Sequence, residues 1–361
     1  MTTKYQRLAD ILRESMKKNA SLGITKLPTE QALSDQYKVS RQTVRQALSL
    51  LQKEGLIQKK RGSGSYPTGL AAGSDKNHIA LITSYSDDYI YPALIHDIQS
   101  LLMESGYQVN LYSTNDHVSK EREILKDLLR NPVRGLIIEG CKSALPNPNL
   151  DLYEKLKLNG VSVVFIHSIY RDLSGFPCIK DDDYSGGYTL VNHLIKQNHS
   201  QIGGIFKYDD TKGLDCYHGY LSAMCDAGLS IEEEHIAWFS SEDLNLLRKK
   251  QDTSFLLEFI HKQLKSCSAV ICHNDEIAYW LIKELKYAGQ KVPEDLSVAC
   301  MNYSYLNDLS PVRITALSHE PHELAKTTVN TLLNMLHGLS GESVNLSLQL
   351  LTRNSISALN R

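Results

Sequence analysis

The 361-residue sequence contains no run of about 18 consecutive apolar residues, the length that a membrane-spanning helix requires. Its first stretch, MTTKYQRLADILRESMKK, lacks the apolar core of a secretory signal peptide. These absences disfavour an integral membrane protein and a secreted protein. We therefore expect a cytoplasmic protein without a membrane partner.

Cysteine is sparse and confined to the later part of the chain. There are seven cysteines, all lie beyond residue 140, and no two form a Cys-x-x-Cys pair. An odd number without paired spacing disfavours a disulfide framework and a structural zinc site. The sequence predicts free thiols.

Enzyme and metal motifs are also missing. No Gly-Lys-Ser/Thr follows the glycines at 62 and 64, and neither a nucleophile elbow nor a nicotinamide fingerprint occurs. The DDDYSG stretch at 181–186 is similar to the start of a calcium loop but lacks the closing glutamate. The histidines of 319–322 flank a proline and have no evident third ligand. We therefore expect no enzymatic activity, no cofactor and no metal.

The near-neutral net charge of −2 conceals an asymmetry. Residues 1–68 contain 13 lysines and arginines against 5 aspartates and glutamates, a net charge of +8, so the remainder carries −10. A basic segment attached to an acidic one is typical of a protein that docks on a polyanion through one end only. The first 68 residues are therefore the candidate nucleic-acid-binding unit.

Residues 27–66 read LPTEQALSDQYKVSRQTVRQALSLLQKEGLIQKKRGSGSY and predict two short helices followed by a hairpin. Thr29 can cap the first helix, which places Glu30 in a first turn where the helix dipole favours an anion. Ser40 can cap the second helix. The segment LIQKKRGSGSYP alternates as a hairpin whose basic tip carries glycines, which permits a close approach to phosphates.

The second helix carries apolar residues on one face and polar ones on the other. Arg41, Gln42, Thr43 and Arg45 fill its first turn and a half on the polar face. Arginine reads guanine and glutamine reads adenine through paired hydrogen bonds in the major groove. A small helical bundle can also present surface arginines, but several elements here agree in order and spacing. They predict a winged helix-turn-helix.

The remaining chain alternates short apolar strands with helices. Strands are predicted at 79–83, 108–113, 135–139, 161–166, 202–206, 269–272, 296–301 and 314–318. Strands that are apolar throughout predict parallel sheets with helices on both faces, and the length favours two lobes with a cleft. We predict an α/β protein with a DNA-binding domain at 1–68, a linker at 69–77 and a two-lobed domain at 78–361.

Two family resemblances add to this interpretation. Residues 4–66 resemble the head of the GntR family of bacterial regulators through LPTEQAL, VSRQTVRQAL, EGLI and RGSGSY. Residues 78–358 resemble the LacI-type, periplasmic-binding-protein-like effector domain through DDDYSGGYTLVNHLIKQNHSQIGGI, CHNDEIAYWLIKELKYAGQKVPEDLSV and LTRNSIS. The combination, with DYIYPALIHDIQS and GIFKYDDTKG, is similar to the arabinose-responsive repressors of the GntR family.

This resemblance implies a homodimer that binds operator DNA and is released by a small sugar, with arabinose or another pentose as the first candidate. It also implies a phosphate contact near the start of the chain. The candidate DNA-contacting residues are Lys4, Glu30, Ser40, Arg41, Gln42, Thr43, Arg45, Arg61, Gly62, Ser63 and Gly64. An activator built from the same parts, or a sugar-binding protein with an effector other than a pentose, remains as an alternative.

Effector contacts are expected just beyond the carboxyl ends of the strands, where ligands bind in parallel sheets. Such positions are occupied by Tyr89, Glu139, Lys142, His167, Asp183, Lys207, Asn274, Asp275 and Asn302. Each alone could be a solvated loop residue, and the Asn-Asp pair could simply cap a helix. Together they predict one polar cleft, with Asp275 as the strongest single candidate.

The predicted cleft departs from the arabinose type at two places. Cys216 stands where LacI-type domains carry a ligand-gripping arginine, and a thiol cannot supply the fork of hydrogen bonds of a guanidinium. Asn302 and Tyr303 stand where two carboxylates are usual. Cys216 is therefore also a candidate effector-contacting position. These departures indicate either a pocket re-tuned to another ligand or a loss of sugar binding.

Overall fold

The computed structural model describes residues 4–21, 26–53, 56–60, 64–67, 77–87 and 89–359. We call the described residues up to 67 the head and those from 77 onward the body. The predicted linker at 69–77 lies outside the described residues except for its last residue. No helix within the described ranges has both the length and the apolar character needed to span a bilayer.

The head contains three helices followed by a two-stranded hairpin. Its elements are α1 (Lys4–Ser21), α2 (Glu30–Tyr37), α3 (Arg41–Lys53), β1 (Ile57–Lys60) and β2 (Gly64–Pro67). β1 and β2 pair antiparallel, with Ile57 opposite Pro67. The winged helix-turn-helix expected from the sequence is therefore confirmed.

Side-chain caps determine where the two central helices of the head begin. Thr29 Oγ1 accepts a hydrogen bond from the backbone nitrogen of Ala32, and Ser40 Oγ accepts one from that of Thr43, both at 3.2 Å. These caps are the two predicted ones. The apolar face of α3 is fully buried against α1 and β1, which leaves the polar face of α3 toward solvent.

The first lobe of the body contains a six-stranded sheet whose paired strands are all parallel. Its elements are β3 (His78–Thr83), α4 (Tyr91–Glu104), β4 (Gln108–Ser113), α5 (Val118–Arg130), β5 (Gly135–Glu139), α6 (Leu150–Leu158), β6 (Ser162–Ile166), β7 (Cys178–Asp181), α13 (Glu323–Leu336) and β13 (Val344–Leu346). The strand order is β13-β7-β6-β5-β3-β4.

The second lobe contains another six-stranded sheet, in the order β14-β12-β11-β10-β8-β9. Its elements are α7 (Asp183–Lys196), β8 (Ile202–Lys207), α8 (Thr211–Asp226), β9 (Ile236–Phe239), α9 (Ser241–Lys250), α10 (Ser254–Lys262), β10 (Ala269–Cys272), α11 (Asp275–Tyr287), β11 (Ser297–Cys300), α12 (Tyr305–Leu309), β12 (Thr315–Ser318) and β14 (Gln349–Leu351).

Each sheet is covered by helices on both faces, as the apolar strands predict. In β3, Ile79 and Leu81 pack into one buried cluster with α4 and α13, whereas Ala80 and Ile82 pack into another with α5 and α6. Because successive side chains of a strand point to opposite faces, both faces must be apolar to be covered. The two-lobed α/β fold class is confirmed.

Several short elements of the structure were not predicted from the sequence. Strands β7, β9, β13 and β14 and helices α6, α9 and α12 were not predicted, and β14 runs antiparallel to β12 where a purely parallel sheet was expected. β13 and β14 have only three residues each, too few for an apolar pattern. The chain crosses from one lobe to the other after β7, β12 and β13. These crossings bring β13 beside β7 and β14 beside β12, so the pairing depends on the path of the chain.

Candidate functional site

The exposed face of α3 presents the polar residues expected to meet DNA. Arg41, Gln42 and Arg45 are exposed, and Thr43 is half-buried with its hydroxyl 2.9 Å from that of Ser40. Lys4 is exposed at the start of α1. The assignments of these residues to DNA contacts stay predictions.

Glu30, at the start of α2, contacts basic side chains of α3 and β1. Arg45 Nε donates to Glu30 Oε2 at 2.8 Å, and Lys59 Nζ lies 3.5 Å from Glu30 Oε1. The hydrogen bond from Arg45 lowers the pKa of Glu30, so its carboxylate stays charged. Because DNA phosphates repel a carboxylate, this geometry favours Glu30 as the residue that orients Arg45 on α3 and Lys59 on β1.

The hairpin of β1 and β2, which we call the wing, is joined to the rest of the head by a backbone hydrogen bond. Leu27 N donates to Ser65 O at 3.0 Å, and Gly64 has a φ of 118°, a conformation that favours glycine. A Cβ at Gly64 would lie 2.9 Å from Lys26 Cε. The predicted contacts Arg61, Gly62 and Ser63 lie outside the described residues.

A cavity of about 320 Å³ lies between the lobes, where the carboxyl ends of both sheets meet. We call it the effector cavity because the effector contacts were predicted at these strand ends. Across its rim, the first lobe contacts the second: Tyr85 OH donates to Asn245 Oδ1 at 2.9 Å, and the hydroxyls of Ser143 and Thr211 are 3.2 Å apart. Seven predicted residues line the cavity: Tyr89, Glu139, Lys142, His167, Lys207, Asn274 and Asn302. Asn274 also caps α11 by accepting a hydrogen bond from Ile277 N.

The other predicted effector residues do not line this cavity. Asp275 is fully buried and accepts hydrogen bonds from Tyr89 OH and Ser304 N, so it orients Tyr89. Burial raises the pKa of Asp275 despite these donors. Its selection as the strongest direct contact is therefore not supported by the geometry, because the side chain lies behind the tyrosine.

Cys216 and Asp183 also lie away from the wall of the effector cavity. Cys216 is fully buried where α7 and α8 touch, and a Cβ on Gly187 would lie 2.3 Å from its carbonyl oxygen. Asp183 faces a separate cavity of about 290 Å³ beside the lobe connections. Neither side chain reaches a ligand directly in this arrangement.

Glu139 is held as a charged acceptor on the floor of the cavity. It accepts hydrogen bonds from Ser84 N at 2.8 Å and from His167 Nδ1 at 2.9 Å, and Tyr91 OH lies 3.2 Å away. Burial alone would raise the pKa of Glu139, but His167 and Ser84 outweigh it and the pKa is lowered. The carboxylate can therefore accept hydrogen bonds from ligand hydroxyls.

Lys207 is a buried cation surrounded by three carboxylates. Its Nζ lies 3.1 Å from Asp210, 3.4 Å from Asp116 and 3.5 Å from Asp209. Burial would lower the pKa of Lys207, but the carboxylates outweigh it and hold the pKa well above its usual value. Since Asp116 belongs to the first lobe and Lys207 to the second, the cluster joins the two lobes.

Several cavity-lining residues escaped the sequence interpretation. They include Asp116, Asp210, Lys212, Arg248 and His273. Asp116 follows a predicted strand and His273 precedes Asn274, so the strand-end rule could have found both. Arg248 lies on the unpredicted helix α9. Its guanidinium donates to Glu276 at 2.6 and 2.8 Å and lies 4.4 Å from the Tyr85 ring centre.

Backbone strain is concentrated at the effector cavity. Five of its non-glycine lining residues have φ between 46° and 63°: Tyr89, Asp116, Lys142, His167 and His322. Such conformations cost free energy in non-glycine residues and persist where the surroundings enforce them, often at ligand sites. This observation marks the cavity as a functional site independently of the residue types that line it.

Comparisons with known proteins agree with this architecture. Residues 4–66 match the model of the bacterial regulatory proteins of the gntR family, and residues 191–356 match that of a periplasmic binding protein-like domain. The crystal structure of transcription regulator CcpA of Lactococcus lactis superposes with a TM-score of 0.66 at 19% identity, covering 78% of this chain and 99% of that one. That likeness shows the fold.

Closer relatives share most of the chain. The arabinose metabolism transcriptional repressor of Halalkalibacterium halodurans is 34% identical over 337 residues, which cover 90% of this chain and 87% of that protein. The repressor of the same name from Geobacillus stearothermophilus is 32% identical, covering 88% of this chain and 87% of that protein. The chain therefore belongs to the family of the arabinose metabolism transcriptional repressors, with a GntR-type head and a periplasmic-binding-protein-like body.

Proposed function

We propose that this protein is a cytoplasmic repressor that binds a palindromic operator as a homodimer and is released by a neutral pentose, with L-arabinose as the first candidate. Residues 1–68 bind DNA, 69–77 link the parts, and 78–361 sense the sugar and dimerise. The observation that carries the sugar-sensing half is the cavity between the lobes, whose lining includes charged and amide side chains from both of them. Its volume of about 320 Å³ lies at the small end of the usual range for ligand pockets, which suits a monosaccharide.

The charges of the cavity favour a neutral sugar over a sugar phosphate. Among the described lining residues, Lys142 pairs with Glu242, Lys207 with three aspartates, and Arg248 with Glu276. At these three of the four lining lysine and arginine side chains, a phosphate would have to displace a carboxylate before it gained a cation. The fourth, Lys212, lies 3.9 Å from Asp183 Oδ1. Hydroxyl groups can bond to the same polar atoms without separating the ion pairs.

Release requires that the sugar binds better to the arrangement of lobes that is incompatible with the operator. The cavity is lined by residues of both lobes, so a ligand that contacts both of them stabilises one relative orientation. In a dimer, that orientation sets the separation of the two heads. The sugar thereby changes the fit of the heads to the two operator half-sites.

Replacing Arg45 with alanine is expected to cost about 1–3 kcal/mol of operator binding and to relax preference at one base pair. The reason is that an arginine on the exposed face of α3 reads a base edge through paired hydrogen bonds. Sequences selected from a random DNA pool by wild type and variant measure the change. Lys4→Ala is the matched contrast and should weaken all sequences alike. Unchanged selectivity in Arg45→Ala would exclude base readout by Arg45.

Titration of the full-length protein with L-arabinose is expected to release heat, raise the melting temperature and weaken operator binding. Calorimetry against L-arabinose, D-xylose, D-ribose and their phosphates measures the preference, with the neutral sugars binding more tightly. The reason for that order is that three of the four lining lysine and arginine side chains are already paired with carboxylates. If none of these sugars produces heat or a thermal shift, the sugar-sensing half of the proposal is wrong.

A further inference from the structure

Lys212 occupies an unusual position for a lysine. It lies in the first turn of α8, where the helix dipole disfavours a cation, and its side chain is only 18% exposed. It lines the effector cavity. Burial would lower the pKa of Lys212, but Asp183, Asp181 and Asp210 outweigh it and raise the pKa, so the ammonium is charged. Helix stability alone does not account for a lysine here.

The ammonium of Lys212 lies near two side chains, Asn302 in the cavity wall and Asp183 outside it. Nζ donates to Asn302 Oδ1 at 2.6 Å and lies 3.9 Å from Asp183 Oδ1. An ammonium has three hydrogens, and the bond to Asn302 uses one. That bond also occupies the oxygen of the Asn302 amide, which leaves its nitrogen as the donor. Two nitrogens, one charged and one neutral, can therefore donate to the same ligand oxygen.

Asp183 is a buried acidic residue whose carboxyl group lies near the Lys212 ammonium. The residue is 2% exposed, and within the described residues neither of its carboxyl oxygens has a hydrogen-bond partner. Burial raises the pKa of Asp183 well above its usual value, although Lys212 acts to lower it. Cys216, one turn after Lys212 on α8, is close enough for the Asp183 charge to act on it, since burial and then Asp183 raise the pKa of the thiol. A thiol is a poor hydrogen-bond donor and carries no positive charge. Among the described residues, Lys212 is the only one with a full positive charge within 4 Å of the Asp183 carboxyl group.

We propose that Lys212 determines effector specificity in this protein, donating together with Asn302 to one ligand oxygen in place of the arginine fork that Cys216 cannot provide. The proposal rests on the proposed function. Lys212 lies one helical turn before position 216, where the resemblance to LacI-type domains implies an arginine. A lysine grips one oxygen as a point charge, whereas an arginine binds two acceptors in a fixed plane. The site thus recognises a single hydroxyl at this side of the ligand.

The test is calorimetric titration of the full-length protein with L-arabinose, followed by D-xylose and D-ribose. Lys212→Met is expected to weaken binding about 10- to 100-fold, the range for loss of a charge-assisted hydrogen bond. Lys212→Gln, which keeps an N–H donor without the charge, should lie between wild type and Lys212→Met. Lys326→Met, at an exposed position on α13, is the matched control and should bind as wild type does.

A second variant separates ligand binding from a purely structural role. Lys212→Met removes the cation that favours ionisation of the buried Asp183 carboxyl group, and Asp183→Asn replaces that group with one that cannot ionise. We expect the double variant to regain thermal stability while its sugar affinity stays as low as that of Lys212→Met. Recovery of affinity in the double variant, or binding by Lys212→Met within threefold of wild type, would overturn the proposal. Absence of sugar binding by wild type would instead overturn the proposed function itself, and this inference with it.

Discussion

Replacing Lys207 with methionine is expected to lower the free energy of unfolding of the second lobe by about 3–5 kcal/mol, the cost of removing one partner from a buried ion cluster. The variant leaves Asp116, Asp209 and Asp210 buried around a missing cation. Both tryptophans of the chain, Trp238 on β9 and Trp280 on α11, lie in this lobe. Urea titration followed by their fluorescence therefore reports the unfolding of that lobe.

The same variant is expected to have a distinctive pH dependence. In the wild type, burial would raise the pKa of Asp210, but Lys207 and His273 outweigh it and lower that pKa. Without Lys207, burial dominates and the carboxylate takes up a proton as the pH falls. The stability difference between wild type and variant should therefore shrink as the pH falls from neutral.

Lys142→Met is the matched control for Lys207→Met. Lys142 also joins the lobes, but its partner Glu242 has a side chain that is 65% exposed, so the pair contributes less than about 1 kcal/mol. Equal losses in the two variants would show that burial of the Lys207 cluster has no special energetic role. A pH-independent loss in Lys207→Met would show that its carboxylates are not the cause.

Operator binding by the full-length protein is expected to weaken by roughly 10³-fold or more between about 50 and 200 mM salt, since we expect about 5–8 phosphates to be neutralised per half-site. The reason is the +8 charge of residues 1–68, which is attached to a body of opposite charge. Fluorescence anisotropy with a labelled duplex of about 30 base pairs measures the slope of log affinity against log salt.

The comparison for that slope is a random-sequence duplex of the same length. It should bind more weakly but retain a steep slope, because phosphate contacts do not depend on sequence. A slope shallower than about −3 on the operator would contradict a binding mode dominated by phosphates. Equal affinity for both duplexes would contradict sequence-specific recognition by α3.

Position just after a strand end predicted several residues that line the cavity, and it also selected one that does not line it. Lys207, Asn274 and Asn302 were predicted because they follow apolar strands, and parallel strands bring their carboxyl ends to one edge. The same rule selected Asp275, but the first turn of α11 directs that side chain behind Tyr89. Position along the chain indicates the edge of a sheet, whereas the direction of a side chain depends on what packs beside it.

Lys212 and Arg248 line the cavity but were not predicted from the sequence. Both lie on helices, several residues beyond a strand end, and Arg248 lies on a helix whose sequence, SEDLNLLRKK, is largely polar. Nothing local distinguishes these residues from solvated surface cations. Their roles depend on partners in other elements, Asn302 for Lys212 and Glu276 for Arg248.

The sequence by itself determined the winged head, the caps at Thr29 and Ser40, and the buried strands of both lobes. These features depend on contacts between near neighbours or on the period of apolar residues, which are properties of short segments. Only the tertiary structure decided which side chains face the cavity, how Glu30 orients Arg45, and how Asp116 and Lys207 join the lobes. Those contacts link residues distant in sequence, and their energies arise from burial and charge pairing that exist only once the two sheets have packed.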